Sequence, residues 1–187
     1  MSEETNPWTI IAERPVYDNK WISVTEFDVI NPGGGRGIYG KVHFKGKAIG
    51  VLVLDEDFNT YLVGQFRFTL NAYSWEIPEG GAAPGESPLE SGRRELLEET
   101  GLKAVSWMQL LTMHLSNSVS DEEAILFLAR GLEQHEPIPE ETEKLLLRKL
   151  PFEQAYQMVM NGEITDSMSV AAIQRVKLMQ MQGQLNP

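Results

Sequence analysis

Glu95, Glu98 and Glu99 put three carboxylates close together in the stretch Pro88 to Glu99, whose pattern predicts a helix. At helical spacing the three share roughly a 100° arc of surface. Leu89, Gly92 and Leu96 gather on a neighbouring face suited to burial. Like charges on one face repel, and a pair four residues apart is unfavourable by about 0.2–0.5 kcal/mol. Arg94 can screen Glu98 at i+4, whereas Glu95 and Glu99 have no basic partner at helical spacing. Two readings fit: a solvated acidic face, or carboxylate oxygens gathered for a hard divalent cation.

The elements that must position this helix are legible around it. Ser87 suits the N-cap, Pro88 the first helical position, and Gly101 the residue after the end. A glycine- and proline-rich loop, residues 78 to 86, leads into it. Before that loop, Ile49 to Leu54 reads as a buried strand, Asp55-Glu56-Asp57 as a turn, and Thr60 to Phe66 and Tyr73 to Ile77 as further strands. Residues 1 to about 45 mix β-like runs with turns: Trp21 to Val29 alternates, Asn31-Pro32-Gly33-Gly34-Gly35 turns the chain, and Ile38 to Phe44 resumes. Beyond the helix, Val105 to His114, Ala124 to Leu128 and Leu145 to Leu150 read as strands. Residues 131 to 143 read as an acidic loop, and Phe152 to Asn161 and Ser167 to Met181 as helices. The expected class is α+β, a mixed sheet between helices, preceded by an antiparallel β segment over 1–45; residues 46–187 form the main domain.

The loop and helix together run Gly80, five residues, Glu86, seven residues, Arg94-Glu95-Leu96, one residue, Glu98-Glu99, one residue, Gly101-Leu102. This segment resembles the Nudix box at every specified position. Residues 16 to 175 are similar to the ADP-ribose and nucleoside diphosphate sugar pyrophosphatase branch of that family, which implies an α/β/α sandwich. The resemblance implies metal-binding roles for Glu95 and Glu99, with Glu98 a direct or water-mediated ligand. It implies that Glu79, just before the box glycine, lends a backbone carbonyl. Glu86 and Arg94 would hold the loop against the helix by ion pairing, and Gly80 and Gly101 would be structural. Magnesium, with manganese as a substitute, suits oxygen donors and can neutralise a pyrophosphate while activating water.

A second acidic group, Glu140, Glu141 and Glu143, reads by composition as a solvated loop. With Glu153-Gln154-Ala155-Tyr156 downstream, it resembles the catalytic loop of bacterial ADP-ribose pyrophosphatases. That resemblance implies a general base at Glu141, with Glu140 the competing register, and a metal contact at Glu143. In similar proteins the arginine at Arg67 contacts substrate phosphates, a task its bidentate fork suits; a surface salt bridge is the plainer reading. Glu76 would be a substrate-side or metal-water contact. Trp21 and Tyr39 lie in the region that, in this branch, crosses to a second subunit and sandwiches the base; ordinary core or dimer packing is the other reading. Ser116-Asn117-Ser118 aligns with the substrate loop that usually reads Ser-Pro-Gly. Asn117 replaces the proline and Ser118 the glycine, which leaves sugars other than ADP-ribose open.

Composition narrows the partners. The chain has 27 acidic and 16 basic side chains, a formal charge of -11. Such a surface disfavours nucleic acid and anionic membrane. Cysteine is absent, so no thiolate nucleophile or cysteine zinc site exists, in keeping with the cytoplasm. The opening Met1-Ser2-Glu3-Glu4 lacks the basic start of a secretory signal. His43, His114 and His135 show no ligand spacing, and the methionines of the C-terminal helices read as packing. The competing functions are a silent ligand-binding module of the same fold and a hydrolase of dinucleoside polyphosphates. The expected assembly is a homodimer built through residues 1–45.

Overall fold

The computed structural model describes residues 5–135 and 145–185. Two compact units are distinguished: residues 1–46 with 114–122, and residues 47–113 with 123–187.

The first unit is a three-stranded antiparallel sheet in the order β1-β2-β3, from β1 (Thr9–Asp18), β2 (Ile22–Ile30) and β3 (Arg36–Phe44). β2 and β3 pair without interruption from Ile22↔Phe44 to Ile30↔Arg36. Their connection is closed by Asn31, whose side-chain Oδ1 accepts from the Gly33 and Gly35 amides, and Gly34 supplies the left-handed φ of 85°. β1 is a strand that alternation alone does not reveal. Pro15 and two register shifts interrupt its pairing, and it is exposed throughout. That suits an edge strand, the position where proline is tolerated. Within this unit the segment Ser116–Ser120 adds to β3: the Val42 amide donates to the Val119 carbonyl at 2.8 Å.

The second unit is organised around β4 (Ala48–Leu54), which is buried almost throughout. It pairs in parallel with β9 (Glu123–Gln134) and antiparallel with β7 (Glu79–Gly81), and β8 (Leu102–His114) completes a mixed sheet in the order β7-β4-β9-β8. A strand covered on both faces reads as a continuous apolar run, which is why Ile49 to Leu54 shows no alternation. One face of β4 meets α1 (Pro88–Thr100): Val51 and Val53 cluster with Leu96, Leu102 and Ala129. α3 (Ser167–Met181) also packs on β4, through a buried row that includes Ala172, Ile173 and Val176. A second sheet, β10-β5-β6, comprises β10 (Leu146–Pro151), β5 (Asn59–Arg67) and β6 (Ala72–Glu76), and α2 (Phe152–Met160) follows it. The class is therefore α+β with a mixed sheet, and the described residues hold three helices.

Beyond β1, other elements also depart from the sequence expectation, and β8 starts at Leu102 rather than Val105. The loop 78–86 contains the short strand β7, fixed by pairing to β4 rather than by its own composition. The strand expected at Ala124 to Leu128 runs on to Gln134, so the acidic loop begins later than residue 131. The extension opens on the buried Ala129, and after it Arg130, Gly131, Glu133 and Gln134 leave Leu132 as the one large apolar residue, too few to mark a strand by composition. Among the described residues no helix is long and apolar enough to cross a membrane.

Candidate active site

α1 is set by both of its ends. The Ser87 side chain accepts from the Glu90 amide while Glu90 reaches back to the Ser87 amide, closing a capping box. Gly101 ends the helix at φ 69°, its amide donating to the Leu97 carbonyl. With Leu96 anchored in the core, the rotation of the helix is fixed. The glutamate face then looks toward the strap formed by Ile77 to Gly81.

The loop before the helix is tied to it through Arg94. Its guanidinium donates to Glu86 (3.1–3.4 Å), to the Gly81 carbonyl (3.0 Å), to Glu95 Oε1 (2.7 Å) and to Glu98 Oε2 (3.0 Å). The sequence expectation that Glu95 lacks a basic partner is corrected here. Adjacent residues on a helix do not normally face each other, but Glu86 and Gly81 pull the guanidinium across the helix surface until it reaches Glu95. Hydrogen bonding from Arg94 holds Glu86 well below the usual glutamate range, at about 2. Gly80 is required by proximity rather than by backbone torsion: a Cβ there would lie 2.2 Å from the Glu95 carboxylate.

A second set of contacts joins Glu99 to the strap. The Glu79 amide donates to Glu99 Oε2 at 3.0 Å, and the Pro78 carbonyl accepts from the Val51 amide at 2.8 Å. The Glu79 side chain turns the other way, toward Arg67, with Nη2 to Oε1 at 2.7 Å. Arg67 also makes a fork to Glu76, from Nε at 2.9 and 3.0 Å and from Nη2 at 2.5 Å. Arg67 is therefore not a plain surface salt bridge, since Glu76 and Glu79 are both buried. Burial pushes the Glu79 carboxyl well above the ordinary range, and nearby Asp166 and Glu76 push it the same way, against Arg67. Its Oε2 is buried and has no hydrogen-bond partner among the described residues.

Thus Gly80, Glu86, Arg94, Glu95 and Glu98 form one connected group, and Glu99, Glu79, Arg67 and Glu76 another; the strap joins them. Gly101 serves as the helix cap. In the other unit, the Tyr39 hydroxyl donates to the Ser118 carbonyl at 2.5 Å, and Trp8 stands edge-on to Tyr39 at 5.3 Å. Trp21 is 64% exposed, with the Lys20 ammonium over its ring. Glu140, Glu141 and Glu143 lie outside the described residues. Asp166 escaped the sequence reading. An Asp three residues before Ser169 signals a helix cap, and the 2.7 Å bond to the Ser169 amide is one, but nothing local announces its approach to Glu79.

The donors on α1 and the strap are all oxygen, the chemistry a magnesium-class cation requires. Among the described residues no three acidic side chains converge into a finished cage. Such an ion is usually held by one or two carboxylates, water and substrate phosphates, so an incomplete protein cage fits it. A carboxylate can accept from a guanidinium and still ligate a cation.

Comparison with known proteins agrees with this geometry. Residues 44–168 match the NUDIX domain model, and residues 8–42 match the nucleoside diphosphate sugar hydrolase N-terminal domain. The chain is 32% identical over 145 residues to an ADP-ribose pyrophosphatase of Mycobacterium tuberculosis, covering 76% of this chain and 70% of that protein. It is 31% identical over 170 residues to an ADP-ribose pyrophosphatase of Bacillus subtilis, covering 90% and 91%. A crystal structure of an ADP compounds hydrolase superposes with a TM-score of 0.81 at 21% identity, over 98% of this chain and all of that one, and shows the same fold. Since the family match spans the whole of the loop, strap and helix that form the site, the chain belongs to the Nudix hydrolase family.

Proposed function

We propose that this hydrolase splits the pyrophosphate bond of ADP-ribose or a related nucleoside diphosphate sugar, giving a nucleoside monophosphate and a sugar phosphate. The observation that carries the reading is the pair of matched regions: along the sequence, the NUDIX match at residues 44–168 is preceded by a nucleoside diphosphate sugar hydrolase N-terminal match at residues 8–42. Nudix hydrolases as a family need a divalent metal. Magnesium is the ion proposed here, with manganese as a substitute, because every candidate donor is a hard oxygen. When bound, the metal would neutralise the pyrophosphate and render a water more nucleophilic.

In this reading Glu95, Glu99 and the Glu79 backbone hold the metal, and Glu98 holds it directly or through water. Arg94, with Glu86, keeps Glu95 and Glu98 in place. Arg67 supplies positive charge for the substrate phosphates, and Glu76, to which it is joined by the bidentate fork, is a substrate-side or metal-water contact. Glu141 takes the proton from the attacking water, with Glu143 on the metal and Glu140 as the other register for the base. Trp21 and Tyr39 sandwich the base, and Ser118 belongs to the substrate-binding loop. A silent binding module finds no support, because every box carboxylate is present.

Residues 1–45 act as a dimerisation segment exchanged between two copies, with 46–187 as the hydrolase domain. Support comes from the first unit, where Ile10, Ile11, Val16, Tyr17, Trp21 and Ile38 are all exposed. An apolar sheet open to water favours a second surface to cover it. Sedimentation should then report twice the 21.0 kDa chain mass, and a fully active monomer would refute the exchange. The enzyme is read as cytoplasmic, in keeping with a chain without cysteine. The substrate test is a panel of nucleoside diphosphate sugars, dinucleoside polyphosphates and capped RNA with products identified by mass. The expected preference is for the first group, and a preference for either of the others would overturn the substrate reading.

A further inference from the structure

The strap between β6 and α1 is held from several directions. Pro78 is tied to β4 and Glu79 to Glu99 and Arg67. One further bond reaches it from far along the chain: the Ile77 amide donates to the Ser169 hydroxyl at 2.9 Å, across 92 positions of sequence. Both partners are buried, at 0% exposure each. Ser169 lies in the first turn of α3, just beyond the part of the chain matched by the family model. Its own amide is taken by the capping carboxylate of Asp166 at 2.7 Å, which fixes the start of the helix and with it the hydroxyl.

We propose that Ser169 is a positioning residue for the metal site, locking the strap so that Glu79 and Glu99 meet in register. This rests on the functional reading above, in which Glu79 and Glu99 belong to the metal site. The physical ground is that an amide in a dry interior needs an acceptor. Ile77 stands in the core at the end of β6, and its amide finds its acceptor on a helix. That makes α3, which contributes no ligand, the wall that sets how far the strap stands from α1. Two residues on, the Glu79 amide spans only 3.0 Å to Glu99 Oε2, so a displaced strap would move one partner away from the other.

The test is direct Mn2+ titration by electron paramagnetic resonance, alongside the metal dependence of turnover, on the full-length protein. Ser169→Ala removes the acceptor, Ser169→Thr keeps it, and Ala172→Gly loosens the same buried face of α3 without touching the bond. Outer partners of a metal site commonly change affinity by roughly tenfold or more. Ser169→Ala should weaken Mn2+ binding by several-fold to roughly tenfold, while kcat at saturating metal stays within about twofold. Ser169→Thr and Ala172→Gly should bind Mn2+ as the parent does. Unchanged Mn2+ affinity in Ser169→Ala, or an equal loss in Ala172→Gly, would overturn the proposal. If Ser169→Ala does not fold, Ser169→Cys, a weaker acceptor of similar volume, should shift Mn2+ affinity in the same direction, and no shift would overturn it. A parent protein that binds Mn2+ yet cleaves no nucleoside diphosphate sugar would sink the substrate reading alone, because the Ser169 comparison is still read from metal binding.

Discussion

Replacing Gly80 by alanine should leave a folded protein with little activity. The added Cβ would lie 2.2 Å from Cδ and Oε1 of Glu95. Ordinary contact begins at 3.4 Å, so one side must give by about 1.2 Å. The strap is held by β-pairing and by its buried hydrogen bonds, whereas the Glu95 carboxylate is the far end of a flexible side chain. Glu95 therefore moves, and its 2.7 Å bond to Arg94 is strained or lost. Glu95 is 12% exposed and Arg94 31%, so the loss costs about 1 kcal/mol, or about 3 °C in Tm for a chain of this size. A ligand misplaced by about 1 Å costs on the order of a hundredfold in rate. Thermal melts should thus show a small shift, while kcat/KM on ADP-ribose at saturating magnesium falls by about two orders of magnitude. Gly80→Ala turnover within threefold of the parent would refute the reasoning, as would a protein that fails to fold.

Three further outcomes follow from the same geometry. Glu99→Gln should lose most turnover yet hold its stability, because the amide oxygen can still accept from the Glu79 amide while the charge is removed; near-parental turnover at limiting magnesium would contradict a ligand role. Glu86→Gln should be less stable than the parent at neutral pH. The parent's Glu86 carboxyl is lowered from 4.5 to about 2, so its contribution is full above pH 4.5 and is lost as pH falls toward 2. Chemical denaturation at stepped pH should therefore show the difference closing across that window, and a difference constant with pH would contradict the pairing. Glu141→Gln should bind metal and substrate but lose kcat, and if Glu140→Gln is the crippled variant instead, the loop register is shifted by one.

The sequence made α1 legible because its signals are local: Ser87 with Glu90, Pro88 and Gly101 all act within a turn of the helix end. β4 was legible as a short apolar run, and the turn at Asn31 from its glycines. β1 was not, because a strand exposed on every residue has no reason to alternate. β7 was hidden for another reason: three residues, two of them glycine, are a strand only through β4 beside them. The site divides along the same line. Spacing placed Glu95, Glu98 and Glu99 on one face, but the reach of Arg94 to Glu95 depends on Glu86 and Gly81, which only the folded loop brings close. Arg67, Glu76 and Glu79 are separated by turns whose geometry the composition does not specify. Ser169 and Asp166 sit at the start of α3, and no local pattern announces that this helix packs against the strap.

Metal removal and return on the intact enzyme tests the central claim most directly. Protein stripped with chelator should release no nucleoside monophosphate from ADP-ribose, and magnesium added back should restore release in the parent but not in Glu99→Gln. Undiminished turnover in thoroughly demetallated protein would contradict the assignment of the α1 carboxylates to a divalent metal.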